Sequence, residues 1–279
     1  MADESETTRC TYLRLKRALT CLSGYDCHHR HARMPFRVIP GDRLLISPTS
    51  NRAGMDKKLV LSFVYILIFP AVILLLAGDI TWPAGWIFCI WFILLCYSTI
   101  IYLYLKDPTL LAERYQKPGA GNQKPWDQYV VYGLLIGFIL WIVIMPLDAK
   151  RFGWSPAFPL PLTVLGGAGL AGSFFLFFRS YTDNTFLSPL VRIQEDRKQR
   201  VVSTGVYRFV RHPMYLAAVL MFVGAPLLLG SVYGVLVGLV LTILLMGRIM
   251  GEEAMLTRDL AGYPEYTQNV RYRLVPHLW

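Results

Sequence analysis

The chain has 279 residues, of which 54% are apolar and only 16% charged, with a formal net charge of +10 and five cysteines. A soluble domain normally carries about a quarter charged residues, so this composition excludes an ordinary water-soluble globule and names the bilayer as the main solvent. The excess positive charge is not spread as a nucleic-acid footprint, because it is confined to the segments between apolar runs.

Residues 1–54 are polar, basic and rich in Arg, Ser and Pro, with no sustained apolar period; they read as a disordered leader. Its acidic opening is unlike a transit or signal peptide, and Met55-Asp-Lys-Lys ahead of an apolar run also has the form of a natural start. Cys10, Cys21 and Cys27 stand near His28, His29 and His31 without a paired zinc spacing, so no metal is expected.

Residues 55–183 hold four uncharged runs long enough to cross a hydrocarbon core of about 30 Å: Leu59–Gly78, Trp82–Leu105, Gln128–Leu147 and Leu160–Phe178. Backbone facing lipid must satisfy its own hydrogen bonds, so each run is a helix. Cys89 and Cys96 lie within the second and read as packing residues. Gly167-Ala-Gly169-Leu-Ala-Gly172 imitates a dinucleotide-binding turn but sits inside the fourth run, where small residues let two helices approach closely.

A fifth run, residues 213–247, would extend about 50 Å as one straight helix, well beyond the membrane. Gly230-Ser231 near its middle, flanked by Pro226 and Gly234, predicts a break, with half-runs of roughly 214–229 and 232–248. The expected architecture is an all-α polytopic membrane bundle of five to six segments ending in a helical hairpin. Basic residues lie before Leu59, from Lys106 to Lys124, from Arg179 to Arg211 and after Gly247; only Lys150 and Arg151 fall in the opposite set of loops. That bias predicts both termini in the cytosol.

Bending the fifth run returns its two polar borders to one membrane face. One border is Gln199-Arg-Val-Val-Ser-Thr-Gly-Val-Tyr-Arg-Phe-Val-Arg-His-Pro-Met-Tyr215; the other is Arg248-Ile-Met-Gly-Glu-Glu-Ala-Met-Leu256, followed by Tyr263, Tyr266 and the tail Val270–Pro276. Pro213 suits a first helical turn, where free N–H groups favour an anion. Tyr207 and Tyr215 offer faces for an aromatic ring or a cation. Arg248 and Glu252, four apart, share a helix face, and Arg248 is suited to grip an anionic group in bidentate fashion. Against this stand plain readings: Arg211-His212 as a snorkelling cap, Glu252-Glu253 as charge balance, Tyr263 and Tyr266 as interfacial belt residues, and the 192–200 stretch as an anionic-lipid contact.

The stretch from about Asn184 to Trp279 resembles the integral-membrane methyltransferases typified by isoprenylcysteine carboxyl methyltransferase, which are related to phospholipid N-methyltransferases. The resemblance rests on TGVYRFVRHPMY, on EEAML about 40 residues later, and on the closing YPEYTQNVRYRLVP. It implies a cytosolic S-adenosylmethionine pocket built from Gln199, Arg200, Val201, Val202 and Tyr207, from His212, Pro213, Met214 and Tyr215, and from Glu252. It also implies a catalytic role for Arg248, one turn earlier and near a substrate carboxylate; Glu253 is a second catalytic candidate from acceptor chemistry, not from the resemblance. Arg192 or Gln194 stands where the family has glutamine, and Ala217 where glycine is common.

The implied activity is methyl transfer to a lipophilic acceptor. An isoprenylcysteine-type carboxylate would be oriented by Arg248, whereas an amine or thiol would need His212 or Glu253 to remove a proton. Two alternatives compete. One is an NADPH-dependent sterol-type reductase, which shares the Arg-His-Pro-x-Tyr element but usually has Asn at the position of Met214. The other is a non-catalytic protein whose basic loops bind anionic lipid.

Overall fold

The computed structural model describes residues 48–279, with side chains from residue 57 onward. The leader expected over residues 1–54, with its cysteines and histidines, lies outside the described residues except for its last two turns, which begin the first helix.

Every regular element among the described residues is helical. In chain order they are α1 (Pro48–Ala77), α2 (Pro83–Lys106), α3 (Pro108–Arg114), α4 (Pro125–Pro146) continued by a π-helical turn (Leu147–Phe152), α5 (Leu160–Asp183), two short 3-10 turns (Glu195–Arg197 and Gly205–Arg208), α6 (Pro213–Leu229), α7 (Val232–Asp259) and α8 (Tyr263–Asn269). Proline opens α2, α3, α4 and α6, where its missing N–H forfeits no helical bond. Lys57–Ala77, α2, Pro125–Phe152, α5 and α7 are each long and apolar enough to span a membrane. Their outer faces carry exposed Leu75, Leu105, Ile136 and Ile243, as lipid contact requires.

The expected hairpin is present. Helix α6 ends at Gly230, whose φ of 83° is left-handed, and Ser231 caps α7 by accepting from Gly234 N at 2.8 Å. With 17 residues α6 is about 25 Å long, short of the hydrocarbon thickness, and nine of its residues are buried where it packs between α5 and α7. It is therefore walled by protein rather than by lipid. Between helices in lipid, association rests on close packing, and the small residues supply it. A Cβ on Gly166 would lie 2.4 Å from Leu228 N, and one on Gly169 would lie 3.4 Å from Gly224 Cα. The pseudo-dinucleotide stretch is thus a helix contact between α5 and α6.

Buried Trp141, Phe88, Phe222 and Leu241 centre the core, with Trp141 Nε1 donating to Phe222 O at 3.2 Å. Two acids at the ends of α4 anchor the bundle. Asp148 accepts from Ser155 Oγ (2.7 Å) and Ser231 Oγ (2.6 Å), fixing the turn between α6 and α7. Asp127 does its work at the opposite end.

Candidate active site

At the open end of the hairpin, three segments converge. The start of α6 brings Arg211, His212 and Tyr215; the last turns of α7 bring Arg248, Glu252 and Glu253; and the tail after α8 runs alongside. The tail is held by backbone bonds, Arg211 N to Tyr272 O and His212 N to Arg273 O, each 2.9 Å. These bonds use the two N–H groups just ahead of the first turn of α6. Glu253 is the hub. It accepts from Arg211 Nε (2.6 Å) and lies 3.2 Å from His212 Nε2 through one oxygen, and it accepts from Arg273 Nε (2.6 Å) through the other. Arg211 also donates to Val270 O and Arg271 O, both at 2.7 Å. A buried carboxylate with this many donors is held in one place.

The roof is the segment between α5 and α6. Arg192 forks onto Glu113 of α3 (2.7 Å), which also accepts from Ser188 Oγ at 2.6 Å. Burial alone would raise the Glu113 carboxyl, but hydrogen bonds from Arg192 and Ser188 hold it below the ordinary carboxylate range. Gln194, almost fully buried, donates to Phe186 O (2.5 Å), and its own N–H bonds Gln199 Oε1 at 2.8 Å. These bonds shape an otherwise irregular loop.

Between roof and hairpin lies an open cavity of about 790 Å³, its mouth included. Its walls include all ten residues expected around the cofactor: Gln199, Arg200, Val201, Val202, Tyr207, His212, Pro213, Met214, Tyr215 and Glu252. Glu252 is half-buried and accepts from Tyr215 Oη at 2.6 Å. Burial raises the phenols of Tyr207, Tyr263 and Tyr266 well above their ordinary value, so they remain neutral donors. Tyr266 donates to Tyr207 O (2.6 Å), whereas Tyr263 Oη is buried with no partner.

The two residues expected to be catalytic sit elsewhere. Glu253 lies behind His212 in the ion network. Arg248 lies behind Tyr215, its Cζ 5.9 Å from that ring, and is bound to Asp127 through Nε (2.7 Å) and Nη2 (3.3 Å). Asp127 and Glu113 were not among the residues singled out from sequence, and neither the pairing of Glu113 with Arg192 nor the backbone bonds of the tail were foreseen. Asn184 and Gln194 also line the cavity. Both candidate equivalents of the family glutamine line the cavity, Gln194 as a buried amide and Arg192 as the ion-pair partner of Glu113.

Residues 162–261 match the phospholipid methyltransferase family model. The match covers 100 of the 279 residues, so it is a likeness of this region to that family. The matched segment opens in α5 and closes just beyond α7, spanning the motif, the hairpin and both glutamates. No curated protein matches the chain. Among solved structures, the eukaryotic intramembrane Ras methyltransferase isoprenylcysteine carboxyl methyltransferase is 17% identical, with 84% of this chain and 88% of that chain covered and a TM-score of 0.47. The family match supports a membrane methyltransferase.

Proposed function

We propose that the chain transfers a methyl group from S-adenosylmethionine to a lipophilic acceptor at the cytosolic face of a membrane. The observation that carries this reading is the single cavity shared by the motif 199–215 and Glu252, next to a hairpin inside the family-matched region. The residues present fit such a ligand. Glu252, with one neutral partner, has acceptor capacity left for ribose hydroxyls. Tyr207 and Tyr215 offer aromatic faces to the adenine or the sulfonium, and Tyr263 Oη is a buried donor awaiting a partner. Arg200, exposed at the wall, suits the amino-acid carboxylate.

The bound cofactor supplies a methyl already activated by its positive sulfur, so the protein's task is placement. Effective concentration and alignment lower a displacement barrier by several kcal/mol. Glu253 and its three basic partners act in this reading as positioning residues that fix the His212 ring, while Arg248 backs the Tyr215 face. The short α6, walled by protein, leaves the cavity near the level of the bilayer surface, where an amphiphilic acceptor arrives from lipid. The bias of basic residues towards this set of loops supports a cytosolic position for this end.

Calorimetry with S-adenosylhomocysteine on the full chain in nanodiscs tests the reading. The wild type binds, and Glu252→Ala and His212→Ala each weaken binding by about tenfold or more, the loss expected when a charged or buried hydrogen-bonding group is removed. Unchanged binding in both variants removes the site. Stabilisation by NADPH with none by S-adenosylhomocysteine replaces methyl transfer with the reductase reading.

A further inference from the structure

Arginines drawn into this fold find acceptors, and Arg114 does not. Arg192 pairs with Glu113, Arg211 with Glu253 and Arg248 with Asp127. Arg114 is half-buried in the last turn of α3, where a positive charge suits the helix end. Yet its Nη1 is buried with no hydrogen-bond partner, and no acid or carbonyl among the described residues takes its other nitrogens. The acids on the neighbouring segments are already engaged: Glu113 by Arg192 and Ser188, Asp107 by Thr109 and Thr185, Asp183 by Arg179 and Val206 N. What Arg114 does meet is an aromatic face, its Cζ 5.3 Å from the Tyr181 ring. A ring face returns only part of the hydration that a guanidinium gives up on burial.

A second cation is arranged in the same way. Lys58 Nζ lies 5.7 Å from the ring of Tyr115, the residue after Arg114, and Tyr115 Oη is fixed against Ser62 Oγ at 2.9 Å. Leu59, Tyr115 and Tyr181 pack against one apolar cluster, so the start of the α1 span, the end of α3 and the end of α5 meet there. Each of these points lies at or just beyond an end of a span, Lys57–Ala77, Pro83–Lys106 or Leu160–Asp183, which is the depth of lipid headgroups. About one turn deeper, Tyr102 meets Phe178 edge-on with centroids 5.6 Å apart, an apolar face for an acyl chain. None of Arg114, Lys58, Tyr115 and Tyr181 lines the cavity.

We infer that Arg114 and Lys58 form a second binding site, outside the cavity, for a phosphate group, and that its source is the headgroup of a phospholipid seated where α1, α3 and α5 meet. Arginine forks onto phosphate through two N–H bonds, and basic pockets between membrane helices are where anionic headgroups bind. The phosphate supplies the acceptor that Nη1 lacks. Because the cavity walls lie elsewhere, this lipid is not the methyl acceptor, and the site stands or falls independently of the methyltransferase reading.

The test uses the full chain in dodecyl maltoside, a detergent without phosphate. The thermal unfolding midpoint is read against added dihexanoylphosphatidylglycerol, dihexanoylglycerol and inorganic phosphate. The phosphatidylglycerol is expected to raise the midpoint of the wild type saturably, and dihexanoylglycerol, with the same chains and no phosphate, to leave it unmoved. The apparent affinity should fall about tenfold in Arg114→Gln and by less in Lys58→Gln, whose ammonium is exposed. Lys198→Gln, an equal loss of charge at an exposed lysine outside the site, should retain it. Stabilisation of the wild type by dihexanoylglycerol equal to that by the phosphatidylglycerol overturns the site, even if Arg114→Gln fails to fold. So does an Arg114→Gln protein that binds as the wild type does, or a Lys198→Gln protein that loses as much as Arg114→Gln, since the effect is then surface charge alone. Inorganic phosphate bound as tightly as the lipid, and dependent on Arg114, overturns the lipid as the source and leaves a free-phosphate site.

Discussion

The two ends of the α6–α7 hairpin solve the same problem, a carboxylate buried among helices, in opposite ways. At the turn, Asp148 is surrounded by neutral donors: two serine hydroxyls and the Tyr233 N–H at 3.2 Å. Glycine and proline close the backbone around it. At the open end, Glu253 is gripped by Arg211, Arg273 and His212, and the preceding residue, Glu252, lines the cavity with the Tyr215 phenol as partner. A turn needs only to be closed, and neutral hydrogen bonds suffice. A site needs charges held still beside empty space, and that takes counter-charges whose own positions are fixed.

The sharpest way to break the comparison is Glu253→Ala. It strands two arginines, one of them buried, and removing one partner from a buried ion pair typically costs about 3–5 kcal/mol. A large fall in Tm is expected together with loss of S-adenosylhomocysteine binding, because the tail and the His212 ring lose their shared anchor. Binding that survives intact in the folded variant would separate the network from the site.

Asp148→Ala should behave differently. It leaves two hydroxyls and one N–H unpaired at the turn, worth about 1–3 kcal/mol in stability. Ligand affinity measured below the lowered Tm is expected to stay at the wild-type level. A parallel loss of affinity would show that the two ends are coupled through α6 or α7.

These contrasts also mark what could be read from the sequence. The hairpin was legible because charge and length act locally: Arg211 and Arg248 bracket a run too long for one span, and glycine, serine and proline sit at its centre. The ten wall residues were legible because they cluster in one motif and one short segment. The pairings were not. Asp127 stands 121 residues from Arg248 and beside the start of a span, where an acid is ordinary helix-end decoration. Asp148, just past the same span, has the same bland appearance. Glu113 and Arg192 are likewise partners 79 residues apart, and no periodicity links a carboxylate to a cation at that range. Arg248 and Glu253 therefore stood out in the sequence as reactive groups, because the partners that occupy them were invisible there.

The smallest effect expected is a pH dependence in the roof, and its sign follows from one ion pair. Hydrogen bonds from Arg192 and Ser188 outweigh burial and hold the Glu113 carboxyl below its ordinary value of 4.5. A carboxylate depressed in the folded state contributes stability that is fully present above the unfolded value and is lost as pH falls through the folded one. Acidification from about pH 6 towards pH 4 and below should therefore lower the Tm of the wild type more than that of Glu113→Gln, which has no proton to take up in this window. Asp107, whose carboxyl is also held low by hydrogen bonds from Thr185 and Thr109 against the opposing effect of burial, contributes equally to both proteins and cancels in the difference. Because Arg192 lines the cavity, the same acidification should loosen S-adenosylhomocysteine binding more in the wild type than in the variant. Parallel Tm curves for the two proteins would show that the roof is held by its neutral bonds, such as Gln194 to Phe186, and not by this pair. In that case the roof would resemble the turn around Asp148 rather than the charged end it covers.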